Sequence, residues 1–159
     1  MVVEKKMRHS GNLGKVYAVP LGDKSFTFCV NCIGQEFTFF DYLSDSATIP
    51  DLLLGLPIAF RIFVGKGEPK HGKWLEIGKV ELDGEFLLSG KFLHKPVGSD
   101  EYFIYQDGKS NPASLSEVKD LELFSVWFSE HVRKRLEEYY DGKKSSAVLA
   151  IKKHLGIPV

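Results

Sequence analysis

The chain has 159 residues, 43% hydrophobic and 26% charged, as expected for one ordinary globular domain. Lysine plus arginine and aspartate plus glutamate both number 21, so the formal net charge is zero. That balance lacks the basic excess of a general nucleic-acid binder and the acidic excess of a nucleic-acid mimic. No apolar run approaches the roughly 18 residues that would suggest a membrane span.

The first ten residues, MVVEKKMRHS, carry charge with no apolar stretch behind them and do not read as a signal peptide. Two cysteines and no export signal make the cytoplasm the expected compartment. Lys15 to Pro20 reads as a short strand, with its proline at an edge or end. A turn over Leu21 to Ser25 leads to a return strand, Phe26 to Ile33. On it Phe26, Phe28, Val30 and Cys32 share one face, and Thr27, Cys29, Asn31 and Ile33 the other. Gly34 breaks the strand, and Glu36 to Tyr42 completes a meander. Ser44 to Pro57 reads as a loop with one helical turn near Leu52-Leu53-Leu54.

Ile58 to Val64 is nearly all apolar, the pattern of a strand buried on both faces. A polar turn follows from Gly65 to Gly72. Trp74, Ile77, Val80 and Leu82 then recur around Gly78, and Asp83-Gly84 signals a hairpin to a partner strand over Glu85 to Leu88. These strands are expected at the middle of the sheet. Ser89 to Asp100 reads as irregular, and Glu101 to Gln106 as a late strand closed by Asp107-Gly108.

Ser114 and Glu117 form a capping box at the start of a long helix. Leu121, Phe124, Phe128, Val132, Leu136 and Tyr139 recur as its core stripe. Glu122, Ser129, Arg133 and Glu137 mark its wet face, with Val126 exposed among them. Asp141-Gly142 ends it, and a shorter helix spans Ser145 to Leu155, with Val148, Ile151 and Leu155 facing in. The expected fold is therefore one α+β domain over residues 1–159. A curved, mainly antiparallel sheet, open or closed into a partial barrel, occupies about 15–107. A helical pair follows over about 114–155. Trp74 and Phe128 are expected to join sheet to helix in the core.

Motifs that would carry chemistry are sparse. Cys29 and Cys32 have C-x-x-C spacing, but on a strand they point to opposite faces and suit neither a metal nor a disulfide. His9, His71, His94, His131 and His154 have no ligand spacing. Gly108-Lys109-Ser110 ends like a phosphate-binding loop, but Phe103 stands where its first glycine is required. Asp41 and Arg61, on neighbouring strands, suggest a buried ion pair. Trp74 and Gly78, four apart on one strand face, suggest that the glycine makes room for the indole or marks a bulge. These four read as structural. No catalytic residue, metal or cofactor is expected.

Several stretches together resemble the immunity protein 26 family of bacterial polymorphic-toxin systems. They are Gly14 to Leu21 with Gly22-Asp23, Phe39-Phe40-Asp41, Arg61 to Val64, Gly72 to Gly78 with Leu82, Tyr102 to Tyr105, and Leu121 to Trp127. The resemblance spans most of 14–136. One departure is Phe28-Cys29-Val30, where the family carries a glycine within the second strand. The resemblance implies a cytoplasmic protein that binds and neutralises a cognate toxin by direct contact. It implies no catalysis, no nucleic acid and no membrane, and a toxin-facing surface on variable loops. Among the loops, Gly65 to Gly72 is the first candidate, with Glu68 and His71 as polar contacts. The alternatives are another protein-binding module, a small hydrolase-type enzyme built from dispersed residues such as His71, Asp41 and Arg61, and a small nucleic-acid-binding barrel with stacking aromatics.

Overall fold

The computed structural model describes residues 11–159 except Asp23. Strands β1 (Lys15–Leu21), β2 (Ser25–Asn31) and β3 (Glu36–Phe40) form the expected antiparallel meander. β4 (Ile58–Val64) pairs antiparallel with β3, and β5 (Leu75–Lys79) pairs antiparallel with β1. With β10 (Val126–Trp127) parallel to β4, the six-stranded sheet runs β10-β4-β3-β2-β1-β5. A second sheet runs β8-β7-β6-β9, from β6 (Phe92–His94), β7 (Tyr102–Gln106), β8 (Lys109–Ala113) and β9 (Glu122–Leu123). Helices are α1 (Glu68–His71), α2 (Leu115–Val118), α3 (Ser129–Tyr140) and α4 (Ser146–Leu155). The fold is thus α+β and mainly antiparallel, with two open sheets and no closed barrel.

Several expectations need correction. The middle of the larger sheet is β3 and β2, not the segment after Ile58, since β5 is an edge strand. Asp83-Gly84 makes no hairpin; Gly84–Leu87 is a 3-10 turn that lays Phe86 onto the sheet. Burial of one phenylalanine there outweighs the local turn preference. The stretch 89–100 contains β6. Asp107-Gly108 does not merely end a strand. Both residues have positive φ, 51° and 78°, and the two-residue turn pairs Gln106 with Lys109 to add β8.

The largest correction is at 114–141. The capping box forms, with the Ser114 amide donating to Glu117 at 2.9 Å, but α2 stops at Val118. The chain then extends, giving β9 to the smaller sheet and β10 to the larger before α3 begins. Leu123 and Trp127 are buried there, while Val126 is 50% and Phe128 56% exposed. Phe128 is therefore not a core residue. Ser129, expected wet, is buried, and Glu122 is drawn into a bidentate pair with Arg135 at 2.6 and 2.8 Å.

One face of the larger sheet packs Val19, Cys29, Phe39, Phe60 and Ile62 against Trp74, Trp127 and α3 residues Val132 and Leu136. The other face, with Val16, Phe28, Val30 and Phe40, is covered by Leu53, Leu82 and Phe86 from the connections. The smaller sheet packs Leu93 and Leu123 over Val118 and Ile157, with Val148, Ile151 and Leu155 of α4 facing in as expected. Each fully buried phenylalanine, such as Phe28, Phe39 and Phe40, contributes about 1.5–3 kcal/mol.

Polar clasps fix the helices. The Tyr140 hydroxyl donates to the Phe40 carbonyl and accepts from the Tyr42 amide, both at 3.0 Å, tying the end of α3 to β3. Lys143 and Gly142 amides return to the Glu138 and Tyr139 carbonyls at 2.8 and 3.1 Å and close α3. The buried Lys95 ammonium donates to the Leu155 carbonyl at 2.7 Å and to that of Ser99, capping the negative end of α4.

Candidate functional site

The cysteines lie where strand geometry requires. Cys29 packs with the core under α3 and Cys32 with the core on the opposite face. Both are free and buried, and burial pushes the Cys29 thiol well above its ordinary range. Neither is placed to act as a nucleophile. Among the described residues no group of three or more His, Cys, Asp or Glu is placed to hold a metal ion. His9 lies outside the described residues.

The ion pair expected between Asp41 and Arg61 does not form. Asp41 is exposed, beside Tyr139. Arg61 instead donates to Glu36 at 2.9 Å and to the carbonyls of Glu85 and Leu88. Glu36, 3% exposed, also accepts from the Ser89 hydroxyl at 2.7 Å and the Gly90 amide at 2.8 Å. Arg61, Ser89 and Gly90 thus all donate to the buried carboxylate, and the network staples 85–90 across β3 and β4. Its order explains the miss. Thr38 stands opposite Arg61, and Glu36 reaches it diagonally from two residues along the strand.

Trp74 and Gly78 do not serve each other. A side chain on Gly78 would meet Ile49 Cδ1 at 2.6 Å, so this glycine makes room for the isoleucine. Ile77 is the extra residue of a bulge between β5 and β1. The glycine that makes room for the indole is Gly72, whose added Cβ would lie 2.6 Å from Trp74 Nε1. Trp74, 7% exposed, presents near-perpendicular rings to Phe39 and Phe37 and lies edge-on to Tyr17.

Glu68 and His71 are brought together on α1, with different roles. His71 is exposed. The Glu68 carboxylate accepts from the Ser129 amide at 2.8 Å, which holds its pKa below the usual carboxylate range, with a smaller contribution from nearby His71. Glu68 therefore caps α3, whose own cap position holds Phe128, a residue with no capping group.

Phe128 is the functional candidate that periodicity concealed. Its ring packs beside Gly65, whose added Cβ would sit 3.4 Å from it, and its outer part faces solvent. Val126, also exposed, and half-buried Phe124 alternate with it along the chain. Phe124 stacks on Tyr105 at 3.8 Å and meets His94 edge-on, extending an aromatic surface across the smaller sheet. On the other side lies an open groove of about 380 Å³ floored by Trp74 and Gly72 and rimmed by His71, Lys73, Glu130 and Arg133. The signal available in the sequence was period two: Leu123 and Trp127 buried, 124, 126 and 128 outward. Exposed apolar side chains here are flanked by charges of both signs, the composition typical of a protein-contact surface.

No family model, curated protein or solved structure matches the chain.

Proposed function

We propose that the protein is an immunity protein, which binds a cognate polymorphic-toxin domain in the cytoplasm and neutralises it by direct contact. The observation that carries the reading is Phe128. A solvent-facing aromatic occupies a helix cap position where Ser, Thr, Asp or Asn would serve stability better. Local rules are broken where function demands it. The surface around Phe128 includes the Gly65 to Gly72 loop, the segment favoured on sequence grounds. Its composition, aromatic anchors beside charges of both signs, suits a specific partner better than a generic polyanion. Binding alone is sufficient for neutralisation, so the reading requires no catalytic group.

The test is co-expression with the toxin-like C-terminal domain of a large secreted protein encoded beside this gene. Growth of the doubly expressing cells and one-to-one co-purification are expected. Cell death with both proteins folded and equally abundant would overturn the proposal.

A further inference from the structure

A second concavity lies away from Phe128, at the other end of α3, where α2, α3 and α4 meet the start of β4. It encloses about 550 Å³, within the range of small-ligand sites. Its apolar lining includes Phe60, Tyr139, Val148, Leu149 and Pro158. The base is rigid. The Arg135 guanidinium lies 4.0 Å over the Phe60 ring and 4.9 Å from that of Trp127, and forks the Glu122 carboxylate. Arg135 is thereby neutralised and held in place.

The rim is cationic. Lys119, Lys143, Lys144 and Lys152 line it, with Asp120 as the one acidic side chain among the lining residues. Lys143 pairs with Asp141 at 2.9 Å, outside the cleft lining. The side chains of Lys119, Lys144 and Lys152 form no ion pair or hydrogen bond with any described residue. In a chain whose net charge is zero, this gathers ammonium groups around one cleft, where an anion would offset their charge. Three side-chain ammoniums without partners among the described residues, against one acidic side chain, suit a dianion better than a monoanion. The apolar floor suits a body that leaves water.

We propose that this cleft binds a small phosphate monoester with an aromatic or aliphatic body, the phosphate among Lys119, Lys144 and Lys152 and the body over Tyr139, Val148 and Leu149. The site is independent of toxin binding.

Phenyl phosphate is the probe, titrated calorimetrically into the full chain, with inorganic phosphate and phenol as the charge and the body alone. Phenyl phosphate is expected to bind one site with a Kd of about 1 mM or tighter, in keeping with its few heavy atoms. It should bind at least about tenfold more tightly than either half, since each half loses one set of contacts. The double substitution Lys144→Gln, Lys152→Gln should weaken it about tenfold or more. The control Lys91→Gln, Lys109→Gln, the same charge change outside the cleft, should not. Circular dichroism verifies that both variants are folded. No saturation by phenyl phosphate at about 10 mM, equal binding of inorganic phosphate, or an unaffected cleft variant would each overturn the proposal.

Discussion

Glu68 caps a helix 61 residues away: its carboxylate takes the Ser129 amide at 2.8 Å, beside a Phe128 that cannot cap. The division of labour frees position 128 for an exposed aromatic ring. It also ties the Gly65 to Gly72 loop to the start of α3 through a side-chain hydrogen bond. A surface tied in this way has less conformational freedom to lose on binding.

Phe128→Ser should therefore stabilise the protein. The serine hydroxyl would accept from the amides of Glu130 or His131, which have no acceptor among the described residues. The expected gain is about 0.5–1 kcal/mol, read from the urea midpoint at unchanged slope. A fall in midpoint would show that the ring is held for packing.

The cap should also make stability depend on pH. The Glu68 pKa is depressed by the Ser129 amide, so its contribution is fully present above the unfolded carboxyl pKa. It is lost as pH falls through the lower, folded value. Glu68→Gln should flatten the acid limb of a stability–pH profile and change little of its shape at neutral pH and above. An acid limb identical to wild type would reject the capping role.

Trp74→Ala should cost about 3–5 kcal/mol, because it empties a site lined by Tyr17, Phe37 and Phe39. Thermal melting reads this directly, and a melting point within a degree or two of wild type would contradict the packing.

Removing one member of the buried ion pair should be costly, and removing both less so. Arg61→Met leaves the Glu36 carboxylate without its counter-charge and should cost about 3–5 kcal/mol. Glu36→Gln added to it should recover part of that loss. A double-mutant cycle with additive single effects would show the pair uncoupled.

Strand positions and helix caps were legible where one local rule acted alone. The meander, Ile58–Val64, the Ser114–Glu117 box and the short helix near Ser145 to Leu155 are of this kind. The segment 121–128 was not, because a run of Leu, Phe, Val and Trp satisfies both a helical stripe and a strand alternation. Its choice is made by non-local pairing, of Leu123 with Leu93 and of Trp127 with Val64. That choice turns Phe128 outward and makes the surface. The Glu36 pair was hidden similarly, since a diagonal partner depends on register. The loop Gly65 to Gly72 was reachable from composition, but the aromatic beside it was not.

The most direct measurement is the affinity of the proposed cognate toxin domain for wild-type protein and for Phe128→Ser, by calorimetric titration. One-to-one binding by wild type is expected, with a loss of at least about 2 kcal/mol, roughly thirtyfold, in the variant. Because that variant should be the more stable protein, unfolding cannot explain the loss. Binding by Phe128→Ser as tight as by wild type would contradict the account of this surface.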